Sequence, residues 1–131
     1  MDNVVNAEKY RKRGCNCSQT ILCTYYQSCH LDEDTAFKIA EGLGAGAGVK
    51  SLCGAASAMA MVIGCLNSDG IANKGTSKAT SYKSVSIYMD AFKEKFGSLI
   101  CSELKANKIP CDELIYECVK YIENYMEQST E

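Results

Sequence analysis

From Ser51 to Leu66 the chain carries no charged residue and is crowded with small ones: Gly54, Ala55, Ala56, Ser57, Ala58, Ala60 and Gly64. Such a segment has to be buried, and it lets neighbouring elements approach its backbone closely. It is shorter than the roughly 18 to 20 apolar residues that span a bilayer, so it predicts a central helix rather than a membrane span. The flanking sequence supplies helices to surround it. Val4–Arg13 reads as a first helix closed by Gly14. Cys17–Cys29 reads as a second, with Cys17, Ile21 and Tyr25 on one inward face. Asp32 opens a third, whose apolar side is Ala36, Phe37, Ile39, Ala40 and Leu43. A glycine-rich run, Gly42-Leu-Gly-Ala-Gly-Ala-Gly48, follows, and Ser51 is the expected N-cap of the central helix.

Asn67–Ser77 is read as loop, with turn signals at Asp69-Gly70 and Lys74-Gly75. A long helix is then expected from Thr76 to Phe96, ended by Gly97. Its positions Tyr82, Val85, Met89, Phe92 and Phe96 step by three and four residues. A short helical piece around Leu99–Lys105 precedes Pro110, the only proline. The last helix runs from Cys111 to Met126, with Leu114, Ile115, Cys118, Val119, Ile122 and Tyr125 at helical spacing. There is no useful period-2 alternation, internal repeat or linker. The expectation is all-α: one domain over residues 1–131, built as a bundle of five to seven helices. A chain of this length buries about two-thirds of its unfolded surface and needs no disulfides to fold.

Nine of the 131 residues are cysteine: Cys15, Cys17, Cys23, Cys29, Cys53, Cys65, Cys101, Cys111 and Cys118. An odd count cannot pair completely within one chain. The opening residues through Arg13 are polar and lack the apolar stretch and cleavage site of a secretory signal. A cytoplasmic location is therefore expected, where many thiols point to metal ligation or redox chemistry rather than a disulfide scaffold. A net charge of -2 gives no basic footprint for nucleic acid. Lys9-Tyr-Arg-Lys-Arg13 reads as a solvated helix face.

Gly42-x-Gly44-x-x-Ala47 fits a dinucleotide-binding pattern only on paper, since that pattern needs a preceding strand within a βαβ unit. Cys53 is the better candidate. In the first turn of a helix capped by Ser51 it would meet backbone N–H groups without intrahelical partners and the positive end of the helix dipole. Both favour a thiolate, and glycine-rich backbone can form an N–H-lined concavity of the kind found around iron–sulfur centres. Cys65 lies about three turns and some 18 Å from Cys53 along the same helix, too far to share a small centre with it. Cys17, Cys23 and Cys29 fall on different helix faces. Cys118 lies on the face of Cys111 but two turns deeper. His30, the sole histidine, reads as an exposed loop residue. No C-x-x-C pairing of a zinc ribbon or bacterial ferredoxin is present.

Five segments in order, Gly14-Cys-Asn-Cys17-Ser-Gln19, Gly42-Leu-Gly-Ala-Gly46, Cys53-Gly-Ala-Ala-Ser-Ala58, Phe96-Gly-Ser-Leu-Ile-Cys101-Ser-Glu-Leu104 and Cys111-Asp-Glu-Leu-Ile115, resemble the C-GCAxxG-C-C family, whose members are assigned a redox role. The similarity runs from about Gly14 to Glu123. Its four characteristic cysteines fall on Cys17, Cys53, Cys101 and Cys111, with Cys118 as the other alignment of the last. The glycine that ends the central motif is Ala58 here. The resemblance implies redox activity and a functional link to a transporter.

Four dispersed thiolates brought to one end of a helical bundle form the ligand set of a [2Fe–2S] or [4Fe–4S] cluster. The leading expectation is therefore an iron–sulfur protein for electron transfer or redox sensing, with Cys17, Cys53, Cys101 and Cys111 as ligands and Cys23, Cys29 and Cys65 standing apart. A metal-free thiol–disulfide protein, with Cys53 as a low-pKa nucleophile, is the alternative. A structural zinc module is a third reading. The expected partner is a redox protein, with self-association open and nucleic acid and membrane insertion excluded.

Overall fold

The computed structural model describes residues 2–73 and 75–129. Among them are seven α-helices: α1 (Asn3–Lys12), α2 (Cys17–Thr24), α3 (Glu33–Ala40), α4 (Gly54–Asn67), α5 (Lys78–Phe96), α6 (Cys101–Ala106) and α7 (Cys111–Ser129). The all-α reading holds. The only extended pairing among the described residues is an isolated antiparallel bridge between Leu52 and Ile100. Lys74, half of the turn expected at Lys74–Gly75, lies outside the described residues. No described helix is long and apolar enough to cross a membrane.

The small-residue segment is the central helix, α4, and packs against α2, α5 and α7. Ala55, Ala56, Ala58, Met59, Val62 and Ile63 are fully buried. The absence of large side chains on much of α4 lets α2 lie close against it. Around this axis α7 contributes Ile115, Cys118, Val119 and Ile122, and α2 contributes Ile21, Leu22 and Tyr25, to one continuous core. Tyr25 reaches through that core to α7, where its hydroxyl donates to Glu123 Oε2 at 2.8 Å; Asn3 Nδ2 of α1 donates to the same oxygen at 3.1 Å.

Three expectations change. The second helix stops at Thr24 rather than Cys29, and the chain turns through to His30, which is exposed and adopts a φ of 57°. Ser51 does not cap α4; Cys53 itself occupies the N-cap position. On α5, Phe92 and Tyr88 are buried while Tyr82 is 69% exposed. The apolar stripe read from the spacing continues past the point where α5 leaves the bundle, so its first member has nothing to pack on.

Candidate functional site

Helices α2, α4, α6 and α7 each begin with a cysteine at or just before the first residue, and these four starts meet. Cys17 is the first residue of α2, Cys101 of α6 and Cys111 of α7, while Cys53 immediately precedes α4. All four line one cavity of about 90 Å³, together with Ala45, Gly46, Gly54, Leu104, Lys105, Ile109 and Leu114. Its walls are mostly apolar, and it sits where the unpaired N–H groups of several helix starts are directed.

Local sequence explains how each cysteine is held. Asn16 caps α2: its side chain accepts from the Gln19 N–H at 2.9 Å, and its own N–H donates to Gln19 Oε1 at 3.0 Å, a reciprocal capping box. Gln19 and Ser18 also tie this turn to the end of α3, donating to the Phe37 and Ala40 carbonyls at 3.2 and 2.7 Å. Cys53 and Cys101 are brought together by the Leu52–Ile100 bridge. The Cys53 N–H donates to the Leu99 carbonyl at 2.8 Å, and the Cys101 N–H donates to the Ser51 carbonyl at 2.6 Å. Two segments almost fifty residues apart thus deliver their cysteines side by side. Cys111 follows Pro110 at the start of α7.

The glycine-rich run forms one wall. Ala45, Gly46, Ala47 and Gly48 all have positive φ, between 54° and 76°; the run follows helix α3 and no strand, so among the described residues the dinucleotide pattern has no βαβ unit around it. Gly46 is required by space as well as by φ. A Cβ there would lie 2.5 Å from the Ser51 nitrogen and 2.8 Å from the Cys101 Cβ. A Cβ on Gly54 would meet the Leu43 carbonyl oxygen at 2.8 Å. Gly46 in the wall and Gly54 at the start of α4 therefore permit the close approach on which the site depends.

Electrostatics oppose free thiolates here. The N–H groups of Ala55 and Ala56 face the Cys53 sulfur and favour its thiolate, though neither closes a capping hydrogen bond. Burial outweighs them and pushes the Cys53 thiol up to about 11, with Cys17 and Cys101 adding to the rise. This corrects the expectation of a low-pKa nucleophile: the helix start is present, but desolvation wins. Cys17 is also raised, first by burial and then by the nearby Cys111; Arg11 pulls the other way. Arg11 is a residue the sequence reading left on a solvated face. Its Nε pairs with Asp112 Oδ1 at 2.9 Å and its NH1 donates to the Cys15 carbonyl at 3.0 Å, which joins α1 to the cysteine-bearing starts of α2 and α7. The capping box was visible as Asn16-x-x-Gln19; nothing local marked Arg11.

The other five cysteines lie outside the cavity lining. Cys118 is fully buried beneath it, near enough for its charge to act on Cys53 and Cys17 in the thiolate form, and burial raises it strongly. Cys15 and Cys23 pair with each other at a separate hollow of about 280 Å³ lined also by Tyr10, Arg13 and Glu33. Cys29 and Cys65 pair at the opposite ends of α2 and α4. Among the described residues no three His, Cys, Asp or Glu side chains are gathered closely enough to hold a single metal ion.

A family model described as "Putative redox-active protein (C_GCAxxG_C_C)" matches residues 15–127. No curated protein and no solved structure matches the chain.

Proposed function

Because the chain belongs to the C_GCAxxG_C_C family of redox-active proteins, we propose that Cys17, Cys53, Cys101 and Cys111 act as one redox site, as the thiolate ligands of an iron–sulfur cluster. The observation that carries this reading is the meeting of four cysteines, from four separate stretches of chain, on one apolar cavity at four helix starts.

The donor set suits such a group better than it suits zinc. A tetrahedral zinc at about 2.3 Å from each sulfur needs its ligands about 3.8 Å apart, and the described residues offer no such gathering. A cluster spreads its four thiolates over two or four irons. When bound, it supplies one-electron transfer. The protein's own contribution is the environment. Leu104, Ile109 and Leu114 give the cavity an apolar lining, and the Ala55 and Ala56 N–H groups stabilise negative charge on the Cys53 sulfur. Arg11 favours the thiolate of Cys17. Buried thiols that resist ionisation alone are deprotonated outright by a coordinated cation.

A second reading, metal-free thiol–disulfide exchange, is favoured by the placing of Cys17 and Cys111 on the same small cavity, near enough to influence each other's ionisation. In that case the pair gives up two electrons and two protons to a disulfide co-substrate, and Cys53 is not the nucleophile. Anaerobic purification with iron and acid-labile sulfide analysis tests the proposal. Iron and sulfide bound in the wild type and lost in all four single Cys→Ser variants support the cluster. Metal-free protein with a Cys17–Cys111 disulfide found by peptide mapping replaces it with the second reading.

A further inference from the structure

Helices α2 and α4 run side by side in one direction, and each carries a cysteine at both ends. Their starts supply Cys17 and Cys53 to the cavity. At their other ends lie Cys29, in the turn that follows α2, and Cys65, in the last turn of α4. Cys65 is the exposed cysteine among those described, and Cys29, 6% exposed, is buried directly behind it. The Cys65 thiol donates to the Cys29 carbonyl at 3.5 Å, and the two side chains also interact with each other. Beside Cys65 the surface opens into a hollow of about 450 Å³ lined by Met61, Gly64, Ser77 and Lys78, which gives a small molecule access to its sulfur.

We infer that Cys65 and Cys29 form a second redox site, a surface dithiol that is oxidised to a disulfide by a low-molecular-weight disulfide entering the hollow beside Cys65. Neither residue belongs to the four-cysteine cavity, and the site does not depend on what that cavity binds. The chemistry is two successive exchanges. The Cys65 thiolate attacks one sulfur of the small disulfide RSSR, forming the mixed disulfide Cys65–S–S–R and releasing RS⁻. The Cys29 sulfur then attacks Cys65 Sγ, forming the Cys29–Cys65 bond and releasing the second RS⁻. The protons of the two thiols end on two RSH molecules, so the cysteine pair loses two electrons and RSSR gains them. Exposure makes Cys65 the attacking residue, and its position behind makes Cys29 the resolving one. Burial pushes the Cys29 thiol up to about 12. Thiols that resist ionisation favour the oxidised form, so this disulfide, once made, resists reduction. The resulting ring encloses α3, the glycine-rich wall and Cys53, and ties the far ends of α2 and α4 together.

The test uses reduced full-length protein treated anaerobically with 2-hydroxyethyl disulfide, then alkylated, digested without reductant and read by peptide mass. The wild type is expected to yield a Cys29–Cys65 cross-linked peptide pair two hydrogen masses lighter than the separate peptides. Cys29→Ser is expected to stop halfway, with a stable hydroxyethyl adduct on Cys65. Cys65→Ser is expected to lose the cross-link and to leave Cys29 unmodified. An adduct on Cys65 in the wild type that never resolves onto Cys29 overturns the proposal. So does Cys65 cross-linked to any other cysteine, or left free while other cysteines react. Iron content of the same variants is a separate readout: it falls only if the four-cysteine reading fails to confine the cluster to its own ligands.

Discussion

The two ends of α2 and α4 carry the same residue type in opposite settings. At their starts Cys17 and Cys53 meet exposed backbone N–H groups, a neighbouring Arg11 and two further cysteines across an apolar cavity. At their far ends Cys29 and Cys65 meet the carbonyl end of the peptide array, with no cation among the influences on Cys29 and one partner each. Helix starts favour anions and helix ends disfavour them. The cavity therefore offers negative sulfur more support than the far pair does, while the far pair suits neutral sulfur, as thiol or disulfide. Position along a helix, more than the number of cysteines, decides which chemistry each can perform.

The sharpest way to break that contrast is at Cys53. Cys53→Ser is expected to abolish iron binding and the one-electron activity that depends on it under anaerobic assay, whereas Cys65→Ser and Cys23→Ser leave iron binding largely intact. Iron retained in Cys53→Ser would remove the four-cysteine cluster from consideration. A pH series on reduced, metal-free protein comes next. Above pH 9 the unfolded chain releases thiol protons that native Cys53 and Cys29 still hold, because their folded values are raised to about 11 and 12. The unfolded state then binds fewer protons, and stability falls as pH rises. Unfolding free energies from urea titrations should fall between about pH 9 and 11, by about 3 kcal/mol from Cys53 alone. Above pH 11 the loss continues, because native Cys29 and Cys23, both raised to about 12, still hold their protons.

Smaller effects separate the wall of the cavity from its anchoring. Gly46→Ala forces a Cβ against Ser51 and Cys101 at a φ of 61° and should cost about 2 to 3 kcal/mol in urea denaturation. Gly48→Ala, with φ of 76° but nothing within 4 Å of the new Cβ, should cost about 1 kcal/mol from backbone conformation alone. Equal losses would mean that crowding at Gly46 is not what holds Cys101 in place. Asn16→Ala removes the α2 cap and should cost about 1 kcal/mol. The same substitution should loosen Cys17 without disturbing the Cys29–Cys65 pair, a difference measurable by alkylation rates.

Much of this was legible in the chain. Helical spacing marked α7 and most of α5, and the small residues marked α4 as the central element. The order of cysteine-bearing motifs singled out the residues that line the cavity. What stayed hidden was non-local. The Leu52–Ile100 bridge joins two short segments with no strand pattern of their own, so nothing foretold that Cys53 would precede its helix instead of lying in the first turn. Arg11 looked like any charge on an exposed face until its bonds to Asp112 and Cys15 were seen. The Cys29–Cys65 and Cys15–Cys23 pairs depend on how a turn folds back, which spacing does not encode. Burial of Cys53 reversed a pKa argument that was sound for a solvent-exposed helix start.

The wall between α3 and α4 has a kinetic consequence. Ala45, Ala47 and Lys50 all hold left-handed backbone without being glycine, each at about 1 to 2 kcal/mol above a relaxed conformation. Local opening of this segment releases that strain, while opening of α4 exposes buried core. Amide protons of 45–50 should consequently exchange through small fluctuations and those of α4 only through larger ones. The same fluctuation uncovers Ala45 and Gly46, two residues of the cavity lining. The interior thiols thereby gain a route to solvent that leaves the bundle folded, so their alkylation should run much faster than global unfolding.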